Sequence, residues 1–336
     1  MRKRERTVIV ILILLTLFLS GASLCIGSFP LANEDIRRVL TGRLAADSLA
    51  YRVFWNLRFA RTCMALAAGM ALGLSGAVYQ TVFRNPLASP DLTGVASGAS
   101  FGAAAAIVLG AGSTLEIMNG AFFMGVLTLV FVLALVKMSG EGHAGSYILA
   151  GIIVSALAEA GLMILKTLAD PERELAAVEF WTMGSLAGIT WSKLFPNLWF
   201  ILVPLVLLLA MARQVYMLSA DEEQARTMGL NPKKWRLLLL GLTTLMIASM
   251  VSLTGVIAFV GLTAPHIAYF LLRKRGRGFL LTGALCGGSV TVFADILARS
   301  IGTAELPLSV LTVVLAVPVL AVLLCRRAPR RGGDWQ

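Results

Sequence analysis

The sequence is poor in charged residues and in the motifs that mark enzymes. Charged side chains make up 14% of the 336 residues and hydrophobic ones 58%, whereas about 25% charged is usual for soluble proteins. Only two histidines occur, and the patterns HExxH and GxxxxGK[ST] are missing. A metalloprotease and a P-loop ATPase are therefore not indicated. The four cysteines lie in apolar segments without CxxC spacing, which indicates neither a metal site nor a disulfide framework.

Long apolar runs are what the sequence has in abundance. Runs of about 20 residues recur from end to end, and each is long enough to cross a bilayer as a helix. We therefore predict an all-α polytopic membrane protein with about ten transmembrane helices, forming one domain over residues 1–336. Gly255 and Pro265 are the reasons for separating the seventh span from the eighth. The predicted spans are 7–27, 62–83, 92–112, 117–137, 147–167, 194–213, 235–253, 257–272, 278–298 and 306–325.

The basic residues are distributed as topology signals rather than as a nucleic-acid surface. The 29 Lys and Arg outnumber the 18 Asp and Glu, but they punctuate the apolar runs. With both termini in the cytoplasm, 19 basic residues fall on inner segments and 10 on outer ones, which is the usual excess inside. We therefore expect a lipid bilayer and no nucleic acid as partner. The exception is a group of arginines between the first two spans, on the outer side: Arg37, Arg38, Arg43, Arg52, Arg58 and Arg61.

The polar inner loop before the seventh predicted span has clear helix punctuation. Ser219 and Glu222 have the spacing of a capping box. Gly229 is placed to end a short helix over about 220–228, and Asn231-Pro232 suits the start of a second helix. This pattern predicts two short helices that form a rigid knob facing the cytoplasm. Composition alone does not separate a docking knob from a well-capped connector.

Several segments at consistent spacing resemble one known family. The stretch 57–100, LRFARTCMALAAGMALGLSGAVYQTVFRNPLASPDLTGVASGAS, is similar to the signature region of FecCD-type permeases. These are the membrane subunits of type II ABC importers for iron-siderophores, haem and vitamin B12. The resemblance implies a ten-helix permease domain in the cell membrane. It continues through LAGIIVSAL (149–157), FWTMGSLAG (180–188), ARTMGLN (225–231), IAFVGLTAPHIA (257–268) and 294–324.

The resemblance also implies partners and a source of energy. Members of the family work as two-fold dimers, so we expect a second copy or a paralogue of this chain, two ATP-binding subunits and an extracytoplasmic substrate-binding protein. Because the chain has no phosphate-binding loop, ATP and Mg²⁺ are expected on the partner ATPase and no cofactor in this chain. The implied cargo is a ferric siderophore, with haem or cobalamin as the alternative within the family. An ion-coupled secondary transporter is the alternative of another class, with Glu159 as its only mid-membrane carboxylate.

Arginines at the outer edge receive a role from the resemblance. Arg58, Arg61 and Arg299 match positions at which such permeases receive carboxylates of the binding protein through charge-assisted pairs. The alternative is structural, with guanidinium groups snorkelling at helix ends or, for Arg299, pairing with Asp295 one turn earlier. Glu305 is expected at the N-terminal end of a helix, where its charge is favourable.

Coupling and pathway residues also follow from the resemblance. The knob over 219–233 matches the family's ATPase-coupling helices. Glu159 would be costly if it faced lipid, so we expect it either buried and hydrogen-bonded or in contact with cargo. The resemblance also predicts a cytoplasmic gate just before the fifth span. The alternative at this place is an ordinary short loop. The coupling residues are Ala225, Arg226, Met228, Gly229 and Leu230, and the pathway or gate residues are Ala144, Gly145, Ser146, Gly151, Ser155 and Glu159.

Overall fold

The computed structural model describes residues 3–27, 29, 31–45, 47–110, 113–140, 143–220, 222–301 and 305–325, which are mostly helical. The long helices are α1 Lys3–Cys25, α4 Ala60–Val82, α5 Val95–Val108, α6 Thr114–Met138, α7 Ala144–Leu168, α9 Trp191–Ala210, α12 Pro232–Thr254, α13 Val260–Leu272, α14 Arg277–Ala298 and α15 Leu308–Cys325. The short ones are α2 Asn33–Leu40, α3 Leu49–Arg52, α8 Glu174–Thr182, α10 Ala212–Met217 and α11 Glu222–Thr227.

The described helices agree with the predicted number of spans. Seven of the helical segments are long and apolar enough to cross a membrane. Three shorter apolar helices, Val95–Val108, Val260–Leu272 and Leu308–Leu323, accompany them. The all-α membrane class is thereby confirmed. The cytoplasmic position of both termini stays a prediction, with which an even number of spans agrees.

Helix boundaries differ from the prediction at two places. The third predicted span, 92–112, is a shorter helix, α5, and a 3₁₀ turn at Pro90–Thr93 precedes it. Gly94 separates turn from helix with a φ of +79°, a conformation that glycine adopts without steric cost. Pro265 does not break a span, because it lies inside α13. The predicted separation of the seventh and eighth spans is right, and it lies at Gly255, whose φ is +67°.

Close contacts at glycine hold the centre of the bundle together. Helices α4 and α14 cross where a Cβ on Gly69 would overlap the carbonyl of Gly287, and one on Gly73 would overlap the carbonyl of Gly283. Helix α5 approaches α6 in the same way at Gly102. In a bilayer, small residues at such crossings allow backbones to pack closely and gain dispersion contacts. Helix α4 is buried over nearly its whole length and therefore lies at the centre of the bundle.

The segment between α1 and α4 folds into a small cap at the predicted outer end. Ile36 and Val39 of α2 pack with Phe54 in an apolar cluster of their own. Helix α3 continues through a π-helical stretch, Val53–Phe59, into α4. Such wider turns change the direction of side chains relative to an α-helix and are frequent at functional sites. Within this stretch, Arg58 points back to the end of α1.

Candidate functional site

Arg58 is a buried cap on the end of α1. Only 5% of its surface is exposed. Its guanidinium donates hydrogen bonds to the carbonyls of Leu24 and Cys25, both at 2.9 Å, and to that of Phe29 at 2.7 Å. Carbonyls in the last turn of a helix have no partner within the helix, and a cation there complements the helix dipole. Arg58 therefore stabilises the junction between α1 and α4.

A buried carboxylate joins the other two arginines of this end. Asp295 on α14 has one oxygen 2.9 Å from Nε of Arg61 and the other 2.8 Å from Nη2 of Arg299. The second pair has the four-residue spacing that the structural alternative predicts. Arg299 also donates hydrogen bonds to the carbonyl of Ile26, at 2.9 Å, and to Oγ of Ser23. Burial lowers the pKa of Arg299, an effect that the charge of Asp295 opposes.

Arg61 also contacts a second carboxylate, that of Glu305. Its Nη1 lies 2.9 Å from both carboxylate oxygens. Glu305 precedes the first residue of α15 by three positions, so its charge is matched by Arg61 instead of by a helix end. Arg58, Arg61, Arg299 and Glu305 together line a cleft of about 160 Å³. The structure thus brings the three predicted docking arginines together, but each is engaged within the chain, and their contact with a binding protein stays a prediction.

The inner knob ends as its punctuation predicts. Helix α11 finishes in a Schellman motif, in which the N–H of Gly229 donates to the carbonyl of Arg226 at 2.9 Å and the N–H of Leu230 donates to that of Ala225 at 3.0 Å. Gly229 has a φ of +83°, which L-residues with side chains rarely adopt. Ala225 is buried, whereas Arg226, Met228 and Gly229 are exposed. The exposed side of the knob is therefore the surface available to a partner.

The beginning of the knob differs from the prediction. The described part of helix α11 begins at Glu222, two residues after the predicted start at about 220. The hydroxyl of Ser219 donates to the carbonyl of Tyr216 at 2.7 Å, and the carboxylate of Glu222 accepts from Nη2 of Arg236 at 3.1 Å. Because the N–H of Ser219 donates to the carbonyl of Tyr216 at 3.1 Å and not to the carboxylate of Glu222, the predicted capping box is wrong. Asn231 does begin α12 as predicted, since its Oδ1 accepts a backbone N–H of the first turn at 3.2 Å.

The predicted gate lies at the start of α7. The helix begins at Ala144, and Ser146 Oγ lies 3.5 Å from Nδ1 of His143. Gly145 is exposed, and among the described residues a Cβ placed on it would meet only the ring of His143 within 4 Å. Gly151, one of the predicted pathway residues, is instead buried where a Cβ would overlap the carbonyl of Leu92. Within this chain Gly151 therefore allows close packing against the 3₁₀ turn before α5.

The other predicted pathway residues lie further along α7. Glu159 is exposed, and Ser97 Oγ donates a hydrogen bond to its carboxylate at 3.0 Å. The hydrogen bond agrees with the structural alternative for Glu159, whereas its burial in the assembled permease and its contact with cargo stay predictions. Ser155 is half-buried, and its Oγ has no hydrogen-bond partner among the described residues. The exposed face of α7 around these residues is apolar and includes Leu149, Ile152, Ile153, Leu157, Met163, Ile164 and Leu168.

Known proteins share both the sequence and the architecture of this chain. A model of the FecCD transport family matches residues 12–326. The chain is 33% identical to MolB, the molybdate import system permease protein of Haemophilus influenzae, over 96% of each chain. It is 32% identical to HmuU, the hemin transport system permease protein of Yersinia pestis, over 99% of each chain. A solved inward-facing structure assigned to the metal-chelate type of ABC transporter covers 96% of this chain and 99% of its own, with 31% identity and a TM-score of 0.86.

The helical bundle with its inner knob is that of an ABC importer permease, a multi-pass protein of the inner membrane. The chain belongs to the FecCD transport family. Permeases of this family assemble with a second permease and with ATPase subunits, which hydrolyse the ATP. The predicted family and transporter class are confirmed, and the alternative of an ion-coupled secondary transporter is not supported.

Sequence reasoning missed the partners of the charged groups. The sequence predicts Asp295 only as a partner of Arg299, although its other oxygen contacts Arg61, 234 residues away in the sequence. Glu305 lies 244 residues from Arg61, and the pairing of Arg236 with Glu222 crosses from α12 to α11. The only available signal was the occurrence of charged residues in or beside apolar spans, which requires partners without naming them.

Proposed function

We propose that this chain is the permease subunit of a binding-protein-dependent importer that moves a ferric siderophore into the cytoplasm. The observation that carries the proposal is the exposed apolar face of α7 with Glu159 beside it. A carboxylate at this depth is costly in lipid, so this side of α7 belongs against a second permease or along a pathway between two permeases. A passage lined by this mostly apolar face would suit a bulky chelate.

The substrate class rests on chemistry and on similarity. Because the apolar face presents few polar groups that could hold a cargo tightly, we infer that the binding protein selects the cargo and the permease only passes it on. The similarity to a hemin permease and to a metal-chelate transporter supports a chelated metal. The similarity to a molybdate permease leaves an oxyanion as an outcome of the test.

The energy for transport would enter at the inner knob. In this proposal two ATPase subunits bind ATP and Mg²⁺, and the exposed residues Arg226, Met228 and Gly229 contact a groove on each of them. The Schellman motif supports this role, because it holds the knob in one conformation that can transmit displacement. The outer arginines would meet an extracytoplasmic binding protein, and α7 with Ala144, Gly145 and Ser146 at its start would open and close the inner end.

Two measurements test the proposal. The first is uptake into liposomes that contain the chain with its ATPase subunits, the loaded binding protein outside and ATP inside. Uptake that needs ATP and the binding protein is expected, and uptake without either would contradict the mechanism. The second is fluorescence titration of the binding protein with ferric siderophores, haemin, cobalamin and molybdate. Tight binding of a ferric siderophore alone is expected, and preference for any of the other three would replace the proposed cargo.

A further inference from the structure

The outer cleft contains more positive than negative charge, but its groups differ in access to solvent. Asp295 is fully buried, and the side chain of Arg299 beside it is 2% exposed. Arg58 is buried as well and points to backbone carbonyls. These three groups are therefore less accessible to a docking partner than the rest of the cleft.

The pair of Arg61 and Glu305 is the part of the network nearest to solvent. Their side chains are 11% and 28% exposed. Arg61 is held from two sides, because its Nε contacts buried Asp295 while its Nη1 contacts Glu305. If the Glu305 carboxylate left, the contact with Asp295 would keep the guanidinium in place. The freed Nη1 would then face the cleft as a positioned donor for another carboxylate.

The backbone around Glu305 does not depend on this ion pair. The N–H of Leu306 donates to the carbonyl of Ala298 at 3.1 Å, and that of Leu308 donates to the carbonyl of Gly184 at 3.0 Å. These two backbone hydrogen bonds hold the start of α15 against the end of α14 and against Gly184. The Glu305 side chain can therefore change partner while the start of α15 stays in place.

We propose that Glu305 occupies the position on Arg61 that a carboxylate of the extracytoplasmic binding protein takes on docking. The inference rests on the proposed function, because it needs such a partner. Docking then exchanges one partly exposed carboxylate for another, while Asp295 retains the guanidinium. An exchange of this kind adds little net electrostatic energy, so the binding protein docks specifically and still leaves after delivery. Glu305 acts as an internal competitor of the docking partner.

The test uses the importer assembled with its ATPase subunits in nanodiscs, and its own binding protein as the probe. Glu305→Gln removes the competing charge, so we expect a Kd about two- to fivefold lower, from the range measured for partly exposed pairs. Glu34→Gln is the matched control, because it removes one carboxylate of an exposed pair with Arg38 on the outer helix α2 and lies outside the cleft lining. The control is expected to leave the Kd unchanged.

A double variant separates exchange from general electrostatics. Arg61→Ala should weaken docking, and adding Glu305→Gln to it should give no tightening, because the shared guanidinium is gone. Unchanged or weaker docking of Glu305→Gln alone, equal tightening by Glu34→Gln, or tightening that persists without Arg61 would each overturn the exchange. Failure of the unaltered importer to bind the binding protein would instead contradict the proposed function.

Discussion

The guanidinium carbon of Arg236 lies 5.7 Å from the centre of the Tyr147 ring. The same guanidinium pairs with Glu222 at 3.1 Å, so one buried side chain of α12 touches both the knob and α7. Tyr147 is the residue after the predicted gate. Displacement of α11 by an ATPase would therefore reach the start of α7 through direct contacts.

Replacing Arg236 by Gln should loosen this connection. The variant loses a charge-assisted hydrogen bond and a cation–π contact, which together contribute about 2 kcal/mol. We expect a lower melting temperature of the purified complex and less uptake per ATP hydrolysed. Arg213→Gln is the control, because Arg213 is exposed on the same inner segment. If both variants kept the unaltered ratio of uptake to hydrolysis, Arg236 would have no part in coupling.

Gly229→Val tests the conformation of the knob. A β-branched residue at a φ of +83° should cost about 1–2 kcal/mol in the left-handed region, which distorts the Schellman motif. The expected result is a membrane-inserted chain whose partner hydrolyses ATP without uptake. Gly42→Val is the matched control, since Gly42 has a φ of +67°, equally open surroundings and a position in the outer cap. Normal uptake by Gly229→Val would remove the knob from the mechanism.

Gly145→Trp tests the gate. The surroundings of Gly145 within one chain are open, so the indole should fit the folded permease and obstruct only the space between two copies. We expect ATP hydrolysis to continue while uptake stops. Gly21→Trp, at an equally open and exposed position on α1, should leave both activities intact. Unimpaired uptake by Gly145→Trp would favour the alternative of an ordinary loop.

Glu159→Gln tests the carboxylate beside the apolar face of α7. A negative group on a pathway repels anionic cargo and tolerates neutral or cationic chelates, because its charge is poorly screened away from bulk water. The variant should therefore raise uptake of an anionic chelate, such as ferric citrate, relative to a neutral ferric siderophore. Ser97→Ala, which removes the hydrogen bond but keeps the charge, should not change the ratio. An unchanged ratio in Glu159→Gln would mean that the carboxylate does not face cargo.

Local signals were sufficient for much of the fold. Hydropathy located the spans, and Asn231 and Gly229 marked helix ends correctly because caps depend on neighbours in the chain. The capping box predicted at Ser219 is wrong, because the hydroxyl and the N–H of Ser219 both donate to the carbonyl of Tyr216. Pro265 failed because a proline inside a packed membrane helix can be tolerated.

Local signals in the sequence did not identify most partners of the charged side chains in the membrane. The need for partners could be predicted for Arg61, Arg299 and Glu159, because unpaired charge in a bilayer is costly. Apart from the pair of Arg299 with Asp295 one turn earlier, which partners they have depends on helices that meet only after folding. Arg61 therefore pairs with Asp295 and Glu305, and Glu159 with Ser97.

The amino-acid sequence by itself determined the membrane class, the succession of helices and the family, because apolar length, caps and motifs are properties of consecutive residues. Tertiary structure alone decided that Arg58 and Arg61 are held by carbonyls and carboxylates of the same chain. The physical reason is distance along the chain: these groups are brought within hydrogen-bonding range only when α1, α4 and α14 pack together.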